Sequence, residues 1–286
     1  MTHATVSALR RPAGVLAMAL AALASLPSQA AFVTFESAGA TPALITPTRD
    51  AFRVAVGGGA VAGANGSFGG LRREINWDGV PGARADPNNL PADFFNVTSP
   101  RGVTFSTPGT GFLVSANAGL ATPILFGFPA EFQTFSAQRL FTAVNSNITD
   151  VSFFIPGTAT QASTSAFGLV FTDIEVAGLT KVDFFDESDL LIYSHEALVS
   201  GNHGLSFLGA VAGAGERISR VRITSGLNTI VSNGVLGNPN DDVVVMDDFL
   251  YAEPARLAAP GSLTLACLGF AGLVSMTQRR RRTAVA

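Results

Sequence analysis

The sequence predicts an all-β protein: a jelly-roll-like β-sandwich flanked by an N-terminal signal helix and a short C-terminal membrane helix. Three observations lead to this prediction. Short segments with alternating apolar and polar residues recur along the middle of the chain, turn-forming Gly, Pro and Asn residues separate them, and an uncharged apolar segment lies near each end. Alternation indicates strands with one buried face, and many short strands joined by turns are typical of sandwiches.

Residues 1–30 have the layout of a secretory signal peptide. Arg10 and Arg11 form a positively charged segment, an apolar run follows over 13–26, and small residues at 28–30 provide a cleavage site. An apolar run of this length is too short to be a good membrane-spanning helix. We therefore expect export by the secretion machinery and cleavage by signal peptidase after the last of these residues.

Residues 31–254 are predicted to form one exported β-sandwich domain. No stretch of ten or more residues within it has a helical period, so no helix is expected there. A glycine-rich stretch over 57–70 lacks the context of a phosphate-binding loop and is predicted to be a flexible loop. The predicted strands are 32–35, 51–56, 103–106, 112–115, 131–136, 151–155, 167–171, 181–185, 190–193, 205–208, 218–224 and 243–249, with a hairpin joining the eighth and ninth.

A long loop over 74–96 is a candidate ligand site. It is rich in Asp, Asn, Pro and Gly, which favour turns, so an ordered surface loop is one interpretation. The other is a binding role, because Trp77 lies there among Asp78, Asp93 and further oxygen-bearing side chains. An indole ring stacks on sugars, and carboxylates are ligands of calcium.

Asp247 and Asp248 lie in the last predicted strand and are the candidate metal ligands. Adjacent strand residues face opposite sides of a sheet, so one of these carboxylates should point inward, where a bare charge is costly. A structural Ca²⁺ ion would offset that cost. Hydrogen bonds from loop backbone N–H groups explain the pair equally well, and both interpretations stand at this point.

The sequence lacks the residues of a familiar catalytic site, so we do not expect an enzyme. Only His195 and His203 remain after removal of the signal peptide, no Gly-x-Ser-x-Gly motif accompanies them, and the single Cys267 lies in the C-terminal apolar segment. That cysteine count also excludes a disulfide from the exported domain. A glycan-active enzyme that uses paired carboxylates is the alternative.

The last segment, 255–286, has the layout of a sorting or anchoring signal. Pro260, Gly261 and Ser262 precede an apolar run, and four arginines follow close to the end of the chain. The arginines are Arg279, Arg280, Arg281 and Arg282, and a Glu-Pro pair, Glu253 and Pro254, lies upstream. Apolar residues partition into lipid and arginines remain on the cytoplasmic side.

This tail resembles the PEP-CTERM sorting signal of Gram-negative bacteria, although Ala258-Ala259-Pro260 stands where the family has Pro-Glu-Pro. The resemblance implies transient anchoring in the inner membrane and processing by an exosortase-like enzyme. It also implies export to the cell surface or beyond in bacteria that make extracellular polysaccharide. A simple membrane anchor without processing is the alternative.

The charge distribution narrows the expected partners. Arg10, Arg11 and the four terminal arginines lie in the two signals, whereas all 21 Asp and Glu residues lie between them. The exported part is therefore acidic, which argues against nucleic acid or an anionic membrane as its partner. We expect a non-catalytic surface or extracellular-matrix protein, with glycan binding or adhesion as its activity and extracellular polysaccharide as a partner. A glycan-active enzyme or a simple membrane-tethered domain is the alternative.

Overall fold

The computed structural model describes residues 31–116, 125–213, 215–230 and 242–256. The predicted signal peptide and nearly all of the predicted sorting segment lie outside these ranges. The strands are β1 Phe32–Gly39, β2 Ser67–Phe68, β3 Arg72–Ile75, β4 Val103–Ser106, β5 Gly111–Val114, β6 Phe141–Val144, β7 Ile148–Phe153, β8 Ala162–Ser163, β9 Ala166–Thr172, β10 Lys181–Phe185, β11 Leu191–Glu196, β12 Leu205–Ala212, β13 Arg220–Thr224, β14 Val245–Ala252 and β15 Ala255–Arg256. The helices are α1 Pro42–Val56 and α2 Phe94–Val97.

The strands form antiparallel sheets, so the all-β prediction is confirmed. A large sheet has eight strands, with the order β1-β12-β9-β14-β3-β2 and with β6 and β5 attached through β14. A small sheet has five strands in the order β11-β10-β13-β7-β4, and β15 pairs with β8 alone. Ten of the predicted strand segments coincide with strands, including the predicted hairpin, which is the β10–β11 pair.

Phenylalanine side chains from both sheets fill the main core. Phe153 of the small sheet meets Phe167 of the large sheet edge-on, with ring centroids 6.3 Å apart, and Phe249 lies 5.4 Å from Phe167. All three are at most 1% exposed. Full burial of one such side chain contributes about 1.5–3 kcal/mol, so a chain without disulfides in this domain is held together by these contacts.

Helix α1 replaces the strand predicted over 51–56, so both that prediction and the expectation of no helix in the domain were wrong. Ile45 and Phe52, seven residues or two helical turns apart, are both 0% exposed and pack on the outer face of the large sheet. Six residues that alternate between apolar and polar are too few to distinguish a strand period of two from a helical period of 3.6. The contact with the large sheet decides in favour of the helix, and that contact involves residues far away in the sequence. Gly57, with φ of 85°, ends the helix and donates its N–H to the carbonyl of Arg53.

The strand predicted over 131–136 is absent, and that prediction was also wrong. Phe132 is buried in a small cluster with Leu140 and Val245, as an inward strand residue would be. The backbone here nevertheless pairs with no strand; the N–H groups of Phe135 and Ser136 bond a carboxylate of β14 instead. A side chain thus takes the place of a neighbouring strand as acceptor.

No helix in the part of the chain that the structure describes is both long and apolar enough to cross a membrane. The two terminal apolar helices that the sequence predicts lie outside the described residues.

Candidate functional site

The small sheet turns a polar surface away from the core. Strand register places its outward side chains in two rows that cross the strands. The first row is Thr104, Ser152, Arg220 and Phe185, and the second is Ser106, Asp150, Arg222, Asp183 and Ser194. We call these two rows the polar face. Every strand of the small sheet contributes to it, so its geometry depends on the register of the whole sheet.

Ion pairs hold the centre of the polar face in place. Asp150 accepts hydrogen bonds from Arg220 Nη1 at 2.7 Å and from Arg222 Nε and Nη2 at 2.9 and 2.8 Å. These bonds raise the pKa of Arg222. Asp183 accepts from Ser194 Oγ at 2.5 Å and pairs with Lys181 at 2.8 Å. Asp150 and Asp183 are 8% and 6% exposed, so they are screened less than ordinary surface charges.

A groove of about 320 Å³ opens at one end of the polar face. Its lining residues mostly carry hydroxyl, amide or charged groups; they include Thr104, Ser106, Ser152, Gln161, Glu187, Ser219 and Arg220. Phe154, half-buried, supplies an apolar surface in the same lining. This size is at the lower end of the range for small-molecule sites.

One wall of the groove is the turn between β10 and β11. Asp186 Oδ1 accepts the N–H groups of Ser188 at 2.8 Å and Leu190 at 2.9 Å, which fixes the turn. Arg220 Nε donates to Asp189 at 2.9 Å, and its guanidinium lies 3.8 Å from the ring centroid of Phe185. The wall is therefore tied to the sheet beneath it.

This arrangement suits a ligand rich in hydroxyl groups. Each hydroxyl of a sugar both donates and accepts, and the groove offers acceptors at Asp186, Glu187 and Asp189, donors at Arg220, and hydroxyls that do both. Three carboxylates against one guanidinium disfavour an anionic ligand. Because many of the polar groups are held by one another before a ligand arrives, little ordering cost remains for binding.

Trp77 lies in the core. It is 1% exposed, stacks on Phe141 with ring centroids 4.0 Å apart, and meets Phe249 edge-on at 5.1 Å. Its Nε1 donates to the backbone carbonyl of Asp247 at 3.0 Å. The ring has no exposed face on which a sugar might stack. Asp93 is exposed before α2, and no hydrogen bond joins it to Trp77.

Asp247 and Asp248 lie on the same side of the sheet, so the expectation that they face opposite sides was wrong. The register between β14 and β9 shifts between Met246 and Phe249, which marks a β-bulge. Ser136 Oγ is 3.2 Å from Asp247 Oδ1 and 2.6 Å from Asp248 Oδ1. A bulge breaks the alternation on which the expectation rested.

Burial disfavours the charged form of both carboxyl groups. Burial first, and then the charge of the neighbouring carboxylate, raises the pKa of Asp247 well above its usual range, and burial raises that of Asp248. Asp247 Oδ2 accepts the N–H groups of Phe135 at 2.6 Å and Ser136 at 3.2 Å. This is the hydrogen-bonded arrangement named above as the alternative to calcium. Over the described ranges, no three Asp, Glu, His or Cys side chains are grouped closely enough to hold a metal ion.

Asp78 belongs to the same buried region. Burial first, and then the charge of Asp248, raises its pKa to about 6. Trp77 and Asp78 from the loop after β3 therefore meet Asp247 and Asp248 of β14, although the sequence suggested two separate sites.

The Glu-Pro pair before the sorting segment is part of the folded domain. The carboxylate of Glu253 lies 2.7 Å from Arg73 Nη2, its backbone N–H bonds the carbonyl of Leu71 at 2.8 Å, and Pro254 is buried. The sorting residues Pro260, Gly261, Ser262 and Arg279 to Arg282 lie outside the described residues.

The two histidines of the domain lie in different settings. His195, on β11, has Nε2 2.7 Å from Glu36 of β1 and Nδ1 3.1 Å from the hydroxyl of Tyr193, so it links the edges of the two sheets. His203 lies in a turn with φ of 57°.

Sequence reasoning missed the polar face. The alternation of the two arginines in β13 indicated that they lie on one side of a strand. Their common partner Asp150, however, lies about 70 residues earlier in the chain.

No known protein-family model matches the chain, and no curated protein matches its sequence.

Proposed function

We propose that this is a non-catalytic, exported surface or extracellular-matrix protein whose jelly-roll-like sandwich binds glycan in the groove of the polar face. The observation that carries the proposal is the groove itself: about 320 Å³, with hydroxyl, amide, carboxylate and guanidinium groups beside one half-buried aromatic ring.

The charges of the groove favour a neutral glycan. Asp186, Glu187 and Asp189 outnumber Arg220, and the arginine is already paired with Asp150 and Asp189. A uronate or sulfate ligand would meet net negative charge at this wall, and nucleic acid would meet the same repulsion.

The hydrogen bonds of the groove carboxylates support the proposal of binding rather than hydrolysis. Glycoside hydrolysis needs one carboxyl group to donate a proton and a second to act as base or nucleophile. Asp186 is occupied by two backbone N–H groups of its own turn, and Asp189 by Arg220. Glu187 therefore has no second unbonded carboxylate in the groove with which it could form a catalytic pair.

Export and sorting rest on the chain's two ends. The layout of residues 1–30 supports removal by signal peptidase, and the tail's resemblance to PEP-CTERM signals supports transient inner-membrane anchoring and exosortase-like processing. Because Glu253 and Pro254 are built into the folded domain, the segment presented to such an enzyme would begin later, around Pro260 to Ser262.

A binding experiment tests the glycan proposal. We would measure the retention of the full exported domain on immobilised neutral and uronate-containing polysaccharides. Ser152→Phe fills the groove from its floor, and we expect it to weaken binding about tenfold or more, or about 1.4 kcal/mol. Thr41→Phe, at an exposed position next to α1 on the other side of the molecule, is the control and should bind normally. Binding that survives Ser152→Phe, or no retention on any polysaccharide, would refute a glycan site in this groove.

A second measurement tests the sorting proposal. Mass spectrometry of the mature protein from the cell surface should show a chain that begins after Ala30 and lacks Arg279 to Arg282. A mature chain that retains the four arginines would support simple membrane tethering instead.

A further inference from the structure

A cavity of about 470 Å³ lies at the C-terminal end of α1 and shares no lining residue with the groove of the polar face. Asp50, Arg53 and Val54 of the helix form one wall, and the glycine-rich stretch that follows the helix forms another. Phe68 of β2 and Arg72 of β3 complete the lining. We call this space the helix-end cavity. Its volume lies within the usual range for small-molecule sites.

The guanidinium of Arg72 is the buried charged group of the helix-end cavity. Arg72 is 4% exposed, and its Nε donates to Glu74 Oε1 at 2.9 Å. Its Nη1 donates to the backbone carbonyls of Gly57 and Gly59, both at 3.1 Å. Its Cζ lies 4.2 Å from the ring centroid of Phe68. These contacts hold the guanidinium in place and leave Nη2 without an acceptor among the described residues, so this atom remains as a donor for a ligand.

Backbone donors accompany this guanidinium in the lining. Gly58, Gly59 and Ala60 line the cavity, and their N–H groups have no backbone acceptor in the part of the chain that the structure describes. Gly58 has φ of 107°, and a Cβ at this position would collide with the carbonyl oxygen of Phe68. Glycine is therefore required for the backbone to approach this closely. A carboxylate is suited to such a lining, because it accepts hydrogen bonds from a guanidinium and from backbone N–H groups together.

The helix wall of the cavity offers the opposite charge. Asp50 Oδ1 accepts from Arg49 Nε at 2.7 Å and from Arg53 Nη1 at 3.1 Å, whereas Oδ2 has no donor among the described residues. The side chain of Asp50 is 50% exposed, so a ligand can reach it. The helix ends at Val56, and the carbonyl groups of its last turn carry the negative end of the helix dipole. An ammonium group is therefore favoured at this wall.

The charges around the cavity offset one another. Glu74 accepts hydrogen bonds from Arg53 Nε and Nη2 at 2.7 and 2.6 Å and from Arg72. Glu74 and Asp50 thus offset the two arginines of the lining, which disfavours a ligand with a large net charge of either sign. Val54, which is 82% exposed, and the ring of Phe68 add an apolar surface.

We propose that the helix-end cavity binds a free apolar α-amino acid in its zwitterionic form. The carboxylate accepts hydrogen bonds from Arg72 Nη2 and from the N–H groups of the glycine-rich stretch. The ammonium group donates to Asp50 Oδ2 and to carbonyl groups at the end of α1, and the side chain lies against Phe68 and Val54. A ligand that carries only one of the two charges leaves one of these partners without a hydrogen bond, and its affinity is lower. This site is independent of the proposed glycan site.

Calorimetric titration of the full chain with L-leucine and L-phenylalanine tests the proposal. The matched ligands are leucinamide, which lacks the carboxylate, and N-acetyl-leucine, which lacks the ammonium group. We expect both amino acids to bind, and each blocked form of leucine to bind about tenfold or more weakly than leucine. If neither amino acid binds at concentrations up to about 10 mM, or if either blocked form binds as tightly as leucine, the proposal is overturned.

Matched variants locate the site. Val54→Trp places a large side chain at the exposed wall of the cavity, and we expect it to weaken leucine binding about tenfold. Val33→Trp is the control, because Val33 is also exposed and lies on β1, at the opposite edge of the large sheet from β2 and β3. Leucine binding that survives Val54→Trp, or that Val33→Trp weakens equally, contradicts a site in this cavity.

A further variant tests the role of Asp50. Asp50→Asn removes the charge that pairs with the ammonium group, so the preference for leucine over N-acetyl-leucine should fall several-fold, while the preference over leucinamide should remain. An unchanged preference over N-acetyl-leucine would contradict the assignment of the ammonium group to this wall.

Discussion

Replacement of Asp247 should separate two effects of its side chain on stability, namely the hydrogen bonds that it accepts and the ionisation of its buried carboxyl group. Oδ2 accepts two backbone N–H groups of the 131–140 loop, and Oδ1 faces the hydroxyl of Ser136. Asp247→Ala leaves both N–H groups without an acceptor. At about 1 kcal/mol for each partly buried donor, the lower end of the usual range, the free energy of unfolding should fall by about 2 kcal/mol. The melting temperature of a domain of this size should then fall by about 4–8 °C.

Asp247→Asn is the control that keeps the hydrogen bonds. Its amide oxygen accepts the same two N–H groups, and its NH₂ group donates to Ser136 Oγ, which in turn donates to Asp248. This variant should be at least as stable as the parent at pH 8, because it removes one of two neighbouring buried carboxyl groups whose charged forms are disfavoured by burial.

Urea denaturation at pH 5 and pH 8 measures both effects. The single tryptophan, Trp77, bonds the backbone of Asp247 and is a direct fluorescence reporter. A raised folded pKa gives stability that is present below the unfolded pKa and is lost as pH rises, so the parent should lose stability relative to Asp247→Asn between the two pH values. Equal destabilisation by Asn and Ala, or a parent-to-Asn difference that does not change with pH, would refute the reasoning.

Three further predictions follow from other contacts. The parent should lose stability as pH rises through about 6 to 7, because burial raises the folded pKa of Asp78 to about 6 and that of Asp173 to about 7. Asp173→Asn should make the loss of stability with pH smaller in urea titrations, and an unchanged pH dependence would contradict this reasoning. Trp77→Ala should lower the free energy of unfolding by about 3–5 kcal/mol, as measured by circular dichroism, and Trp77→Phe should lower it clearly less. Similar losses in the two variants would mean that ring packing is not the cause. Asp150→Ala should cost about 1–3 kcal/mol in the same assay, since it leaves two arginines without their shared acceptor, and a loss below about 0.5 kcal/mol would show that the pairs contribute little.

The alternating pattern was enough to locate most strands and their buried faces. Phe105, Phe153, Phe167 and Phe249 all lie in the main core where alternation placed them. Such predictions succeed because a strand with one buried face must alternate whatever its partner is. The same rule failed at α1, because the six residues 51–56 fit both a strand period and a helical period. Contact with the large sheet decided in favour of the helix.

The candidate sites depended on contacts that no local pattern contains. Nothing in the local sequence pattern indicated that Trp77 would be buried against Phe141, or that a bulge would bring two adjacent aspartates to one side of the sheet.

The sequence by itself therefore determined the all-β class, most of the strands and the acidic character of the domain, since these depend on composition and short-range periodicity. Only the tertiary structure decided where the charges meet. Partners such as Asp150 and Arg222 are about 70 residues apart in the chain, and they become neighbours only when the sheet's register is set by packing across the whole core.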